Sequence, residues 1–147
     1  MARGKGLRPG ALAERLVRAP VRSDPEAARA RVAAWLDTQA GPALVRLFDA
    51  YPMARALIEG IADGSPYLWD LIERGEGRLL ALLQSDPDEH LAALLLATTH
   101  AMAGASQDQE AMRLLRRMKA EAALLIALAD IGGAWEVMRV TRAGRWC

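Results

Sequence analysis

This sequence predicts an all-α fold, one compact bundle of seven to eight helices, on three observations. Ala and Leu dominate the chain while Val, Ile, Thr and aromatic residues are sparse, which favours helix over strand throughout. Pro and Gly punctuate it at short intervals. Three sites share one start signal, a capping side chain followed by proline: Asp24-Pro25, Ser65-Pro66 and Asp86-Pro87. In each, the side-chain oxygen can accept from an orphan backbone N–H, and proline fits the first helical position because its missing N–H had no partner there.

The elements follow in order. A short first helix is expected over 10–18 and a second over 25–39, started by Asp24-Pro25. Helices over 42–51 and 53–62 are separated by Pro52, which would break a backbone hydrogen bond inside a continuous helix. Ser65 starts a helix over 66–74, and Gly75-Glu76-Gly77 divides it from one over 78–84. Asp86, with Glu89 at capping-box spacing, starts a long helix over 87–103. That helix is nearly apolar on all sides, so it is expected to be central and buried. Ser106 is read as the cap of the longest helix, which Gly132-Gly133 stops near Ile131. A last helix begins near Trp135. On the longest helix Leu115, Met118, Ala122, Leu125 and Ala129 step by 3 and 4, a seam for another helix. No repeat recurs at a period of 33 to 45 residues, which argues against a solenoid.

Length and composition narrow the function classes. A chain of 147 residues suits one domain, able to bury roughly 70% of its unfolded surface. With 52% hydrophobic residues and a net charge of +1, it is not a disordered chain. Gly 12 and Pro 7 exclude a collagen-like or linker composition. Cys147 is the one cysteine, so no disulfide forms within the chain. The longest uncharged apolar-rich run, 91–105, falls short of the roughly 20 residues a bilayer requires, and 120–135 is interrupted by Glu121 and Asp130. The N-terminus is a poor secretory signal, so no membrane association and a cytoplasmic location are expected. Arg3, Lys5, Arg8, Arg15, Arg18 and Arg22 face only Glu14. Residues 1–22 are therefore read as a basic, frayed, solvated terminus carrying the short first helix, 23–143 as the helical domain and 144–147 as an irregular tail. Nucleic acid is not an expected partner, given the near-neutral total charge.

Candidate sites are few. His90 and His100 lie about 80° apart around one helix, and no Glu-x-x-His pairing accompanies them, so no metal site is expected. Cys147 has no histidine near it in sequence to activate it. No glycine-rich phosphate loop ends in Lys-Ser or Lys-Thr. Asp86-x-Asp88 resembles a magnesium-holding carboxylate pair, but it sits in a helix start rather than on a strand and reads as a cap. Asp130, in the last turn of the longest helix, opposes the helix dipole and calls for a cationic or N–H partner, with Arg139 or Arg142 the nearest candidates. Glu121 is spaced to pair with Arg117. Arg113, Arg116, Arg117 and Lys119, diluted by Asp108 and Glu110, read as a solvated helix face.

Three stretches carry a family resemblance. They are Ile61-Ala62-Asp63 running into Gly64-Ser65-Pro66-Tyr67-Leu68-Trp69-Asp70-Leu71, residues 114–133 continuing through Ala134-Trp135 to 143, and the Asp24-Pro25 helix with Ala33-Ala34-Trp35-Leu36. Over about 20–143 the chain resembles the N-terminal helical region of the bifunctional glutamine synthetase adenylyltransferase/adenylyl-removing enzymes, α-proteobacterial type. The resemblance implies an enzyme that attaches AMP from ATP to a tyrosine of glutamine synthetase. It also implies removal of that AMP by phosphorolysis, under control of a PII signalling protein. In that family two nucleotidyltransferase domains do the chemistry, each with Gly-Ser and a strand-borne Asp-x-Asp for Mg²⁺ and phosphates. The first such motif should follow the helix beginning near Trp135, whereas 141–147 departs from the family's apolar-periodic continuation.

No catalytic residue of the family maps onto this chain, which by itself is expected to be inactive. No cofactor is expected in this chain, and Mg²⁺ and ATP belong to the intact family enzyme. Arg116, Arg117 and Asp130 are the candidates for an interdomain or partner surface. The expected partners are the remainder of the adenylyltransferase chain, glutamine synthetase or a PII protein, with self-association through the seam around Val137 and Val140 of the unfinished last helix. The alternative is a stand-alone helical protein-interaction adaptor without catalytic activity, which would be monodisperse.

Overall fold

The computed structural model describes residues 10–38, 41–75, 77–104 and 109–135. Among them lie eight helices and no strand: α1 (Leu12–Arg15), α2 (Pro25–Thr38), α3 (Pro42–Ala50), α4 (Pro52–Gly64), α5 (Pro66–Arg74), α6 (Arg78–Gln84), α7 (Pro87–Gly104) and α8 (Gln109–Ile131). The predicted all-α class holds, in a single compact domain. The readings of Ser106 as a cap, of a last helix beyond Trp135, of Val137 and Val140 as a seam, and of the tail 144–147 fall outside the described residues, as do Arg3, Lys5, Arg8, Arg139, Arg142 and Cys147.

All three cap-proline signals work as read. The Asp24 carboxylate accepts from the N–H of Ala27 at 3.1 Å and Ser65 Oγ from that of Leu68 at 3.2 Å. Asp86 Oδ1 accepts from Asp88 N–H at 2.8 Å and Glu89 N–H at 3.2 Å. Helix α4 starts at Pro52 itself, one residue earlier than expected, because proline is accommodated in the first helical turn.

The centre of the bundle is α4, not the long apolar helix. Ala54, Leu57, Ile58, Glu59, Gly60, Ile61 and Ala62 of α4 are all buried, and the helix packs on α2, α3 and α5. Trp35 of α2 and Trp69 of α5 meet edge-to-face at 5.6 Å beside it. By contrast, α7 buries only Pro87 and packs chiefly on α8, which corrects the expectation that it is central. Beyond its hairpin partner, α7 reaches the core only through Pro87 and the half-buried Leu91 and Leu94.

The basic N-terminal segment also differs from the frayed, solvated terminus expected of it, as far as it is described. Helix α1 is only four residues long, since Leu16 is already extended at φ −74°, ψ 129°. Yet Ala11, Leu12, Ala13 and Leu16 are buried in the core. Leu12 N–H donates to the Ser85 carbonyl at 2.7 Å, and Val17 and Arg18 N–H both donate to the Gly132 carbonyl. Further on, Pro20 crosses so close to Gly60 that a Cβ there would lie 2.7 Å from the proline ring. The basic side chains described there, Arg15, Arg18 and Arg22, are engaged as well. Arg22 donates to Glu59 Oε1 at 2.5 Å and Arg55 to Glu59 Oε2 at 2.9 Å, so Glu59, the one buried charged residue among those described, is held between two guanidinium groups.

Asp63 pins the end of this segment. Its carboxylate accepts from Ser23 N–H at 2.8 Å and from Asp24 N–H at 3.1 Å. These two backbone donors hold its pKa below the usual carboxylate value, with Arg31 and Arg22 adding to the effect. A carboxyl whose pKa falls on folding stabilises the protein above its unfolded pKa of about 3.9, and that contribution fades as pH drops through the folded value. Asp63→Asn is therefore expected to unfold at lower urea than the parent at neutral pH. The two midpoints should converge as the solution is acidified below about pH 4; a gap independent of pH would exclude the charge as its source.

Candidate partner surface

The α7–α8 pair forms an antiparallel hairpin. Along it His90 Nε2 lies 2.7 Å from Glu121 Oε2, and Thr98 Oγ1 lies 3.6 Å from Met118 Sδ. Glu121 thus faces His90 across the hairpin, where the sequence had suggested Arg117. Of the seam, Leu125 and Ala129 are buried in the core, whereas Leu115, Met118 and Ala122 are half-buried toward the tip. Only the C-terminal half of α8, with Leu124, Leu125, Leu128 and Ala129, enters the core. The other half projects with α7 as an arm.

This arm carries two of the three sequence-derived candidates. Arg116 and Arg117 are exposed there, near exposed Arg113 and Lys119. Arg117 also lines a cleft of about 600 Å³ against the α5–α6 connection, with Arg74, Arg78, Leu114, Met118 and Glu121. Asp130 is exposed too, but it sits roughly 20 Å along α8 from that pair, so the structure does not bring the three together. The helix end at Asp130 does have a cation: Arg18 Nη2 donates to the Asp130 carbonyl at 3.1 Å. That places positive charge at the negative end of the α8 dipole, from a residue 112 positions away.

The Asp86-x-Asp88 pair has no metal-like geometry. Asp86 is committed to its cap, and Asp88 accepts from Arg15 at 3.3 Å and from Trp135 Nε1 at 3.0 Å. Among the described residues no group of three or more His, Cys, Asp or Glu side chains is placed to hold a metal ion. Nor is any described helix long and apolar enough to cross a membrane.

What sequence reasoning missed is apolar. Leu95, Leu96 and Met102 of α7 are 55%, 62% and 58% exposed, and Met112 and Leu114 of α8 are exposed beside them in sequence with the arginines. The signal was present in the uncharged run 91–105, which reads equally as a core helix or as a helix covered by something else.

Residues 55–144, more than half of the chain, match the family described as Glutamate-ammonia ligase adenylyltransferase. The chain belongs to that family. The match begins inside α4 and takes in α5, α6, α7 and α8, so the whole projecting arm is family sequence. Individual relatives extend the likeness toward the N-terminus. The bifunctional glutamine synthetase adenylyltransferase/adenylyl-removing enzyme of Rhodopseudomonas palustris (strain BisB5) is 48% identical over 138 residues, covering 92% of this chain. The enzyme of the same name from Bradyrhizobium diazoefficiens is 58% identical over 92 residues, 63% of this chain. That of Xanthobacter autotrophicus is 44% identical over 128 residues, 85% of this chain. This member spans about 14% of the length of the Rhodopseudomonas enzyme and 9% and 13% of the other two. No solved structure matches the chain.

Proposed function

We propose that this adenylyltransferase-family chain serves as the N-terminal helical subdomain of an enzyme that adenylylates and deadenylylates glutamine synthetase in the cytoplasm, and that the transfer chemistry lies in the rest of that enzyme. The observation that carries the reading is the 48% identity over 92% of this chain, set against the 14% of the relative that it spans. On this reading ATP and Mg²⁺ bind elsewhere in the polypeptide. The acidic residues here that most resemble a magnesium pair, Asp86 and Asp88, are occupied as a helix cap and as partners of Arg15 and Trp135. The subdomain's partners are the remainder of the adenylyltransferase, with glutamine synthetase or a PII protein reached through it. Arg116 and Arg117 on the arm contribute to that contact, and Asp130 marks a second point at the base of α8.

The test is a graft in which this chain replaces its matching segment in the Rhodopseudomonas enzyme. With ATP and Mg²⁺, the graft should transfer AMP to glutamine synthetase, and the 147-residue chain alone should not. AMP transfer by the isolated chain, or a folded graft inactive where the parent enzyme works, would refute the proposal.

A further inference from the structure

We infer that the outer face of α7 is a docking surface for the remainder of the adenylyltransferase polypeptide, met there by an apolar surface. The inference rests on the functional reading above and names the contact it requires. Over 91–105 the sequence holds no Asp, Glu, Lys or Arg. Ala92, Leu95, Leu96, Thr99 and Met102 fall within about 120° of the helix circumference, and all five are exposed. The opposite side of α7, with Leu91, Leu94, Thr98 and Ala101, is already turned to the hairpin and the core and is half-buried. A helix that is apolar all round normally has neighbours all round, and an exposed run of large apolar side chains marks an interaction site.

One further observation chooses the occupant. The relatives that match this chain are far longer than it is, with the matched segment occupying 14% of the Rhodopseudomonas enzyme, so most of such a polypeptide lies outside the bundle and is tethered close to it.

Methionine oxidation reads this contact without relying on activity. Hydrogen peroxide is applied to the isolated chain and to the graft, and Met102 sulfoxide is followed by mass spectrometry. Met102 should oxidise about tenfold more slowly in the graft. Leu96→Asp in the graft should return it to the isolated-chain rate, while leaving the unfolding midpoint of the isolated chain unchanged. Should the graft not fold, the same slowing is expected when the remainder of the Rhodopseudomonas enzyme is added to the isolated chain as a separate polypeptide. Equal Met102 rates in an active graft and in the isolated chain overturn the docking surface and leave the functional reading standing. Protection of Met102 in an inactive graft does the reverse. Slowing that appears in the isolated chain alone as its concentration is raised assigns the face to a second copy and also overturns the inference.

Discussion

Leu57→Ala is expected to destabilise the domain by about 2–5 kcal/mol, the range for removing a fully enclosed leucine side chain. Leu57 is 0% exposed at the middle of α4, among buried side chains from the surrounding helices. The loss combines the transfer energy of the deleted carbons with a cavity that neighbours held by their own helices cannot collapse to fill. Against a typical stability of about 5–15 kcal/mol, one such substitution removes a large share of the total. Leu96→Ala is the matched control, since Leu96 is 62% exposed and its truncation should change stability by no more than about 0.5 kcal/mol. Urea unfolding of the two variants decides which helix is central. A larger effect at Leu96 than at Leu57 would place α7 in the core and α4 outside it.

Gly132→Ala should cost about 1–3 kcal/mol through overpacking, although it adds a single methyl group. A Cβ at Gly132 would run into Leu16 Cδ2, lie 2.8 Å from the Leu128 carbonyl oxygen and 3.1 Å from Leu57 Cδ2. Leu16 and Leu57 are both buried, so neither side chain has free space to retreat into. Gly133 follows at φ +78°, in the left-handed region where glycine carries no penalty. The Gly132 carbonyl also accepts from Val17 and Arg18 N–H, so displacing it should release the N-terminal segment before the rest of the domain unfolds. Amide exchange at Val17 and Arg18 is expected to accelerate more than exchange at Leu57 or Leu125. If those amides keep their protection and the unfolding midpoint does not move, Gly132 does not anchor the segment.

Local chemistry explains what was readable. The bounds of α5 and α6 follow from Ser65-Pro66 and from the glycines around residue 76, because a cap and a break act on the nearest backbone groups whatever lies beyond. The same holds for Asp24 and Asp86. Family membership was legible because a long stretch of side chains, 114–143, carries it directly. Partners across the fold were not legible. Nothing in the spacing of Glu121 favours His90, 31 positions away, over Arg117, one turn away. Nor does the sequence pair Arg18 with the carbonyl of Asp130. Arg116 and Arg117 were identifiable as exposed charges, yet the apolar face of α7 on the same arm was not identifiable as exposed.

By itself, then, the sequence determined that the chain is helical, where most helices start, and which family it belongs to, since each depends on residues near in sequence or on residue identity alone. Tertiary structure decided that α4 and not α7 occupies the centre, that residues 10–24 lie against the domain, and that half of the α7–α8 hairpin projects from it. Burial is a property of neighbours. An apolar helix has the same composition whether its outer face meets a core, a partner or water, and only the path of the other helices determines which of these it meets.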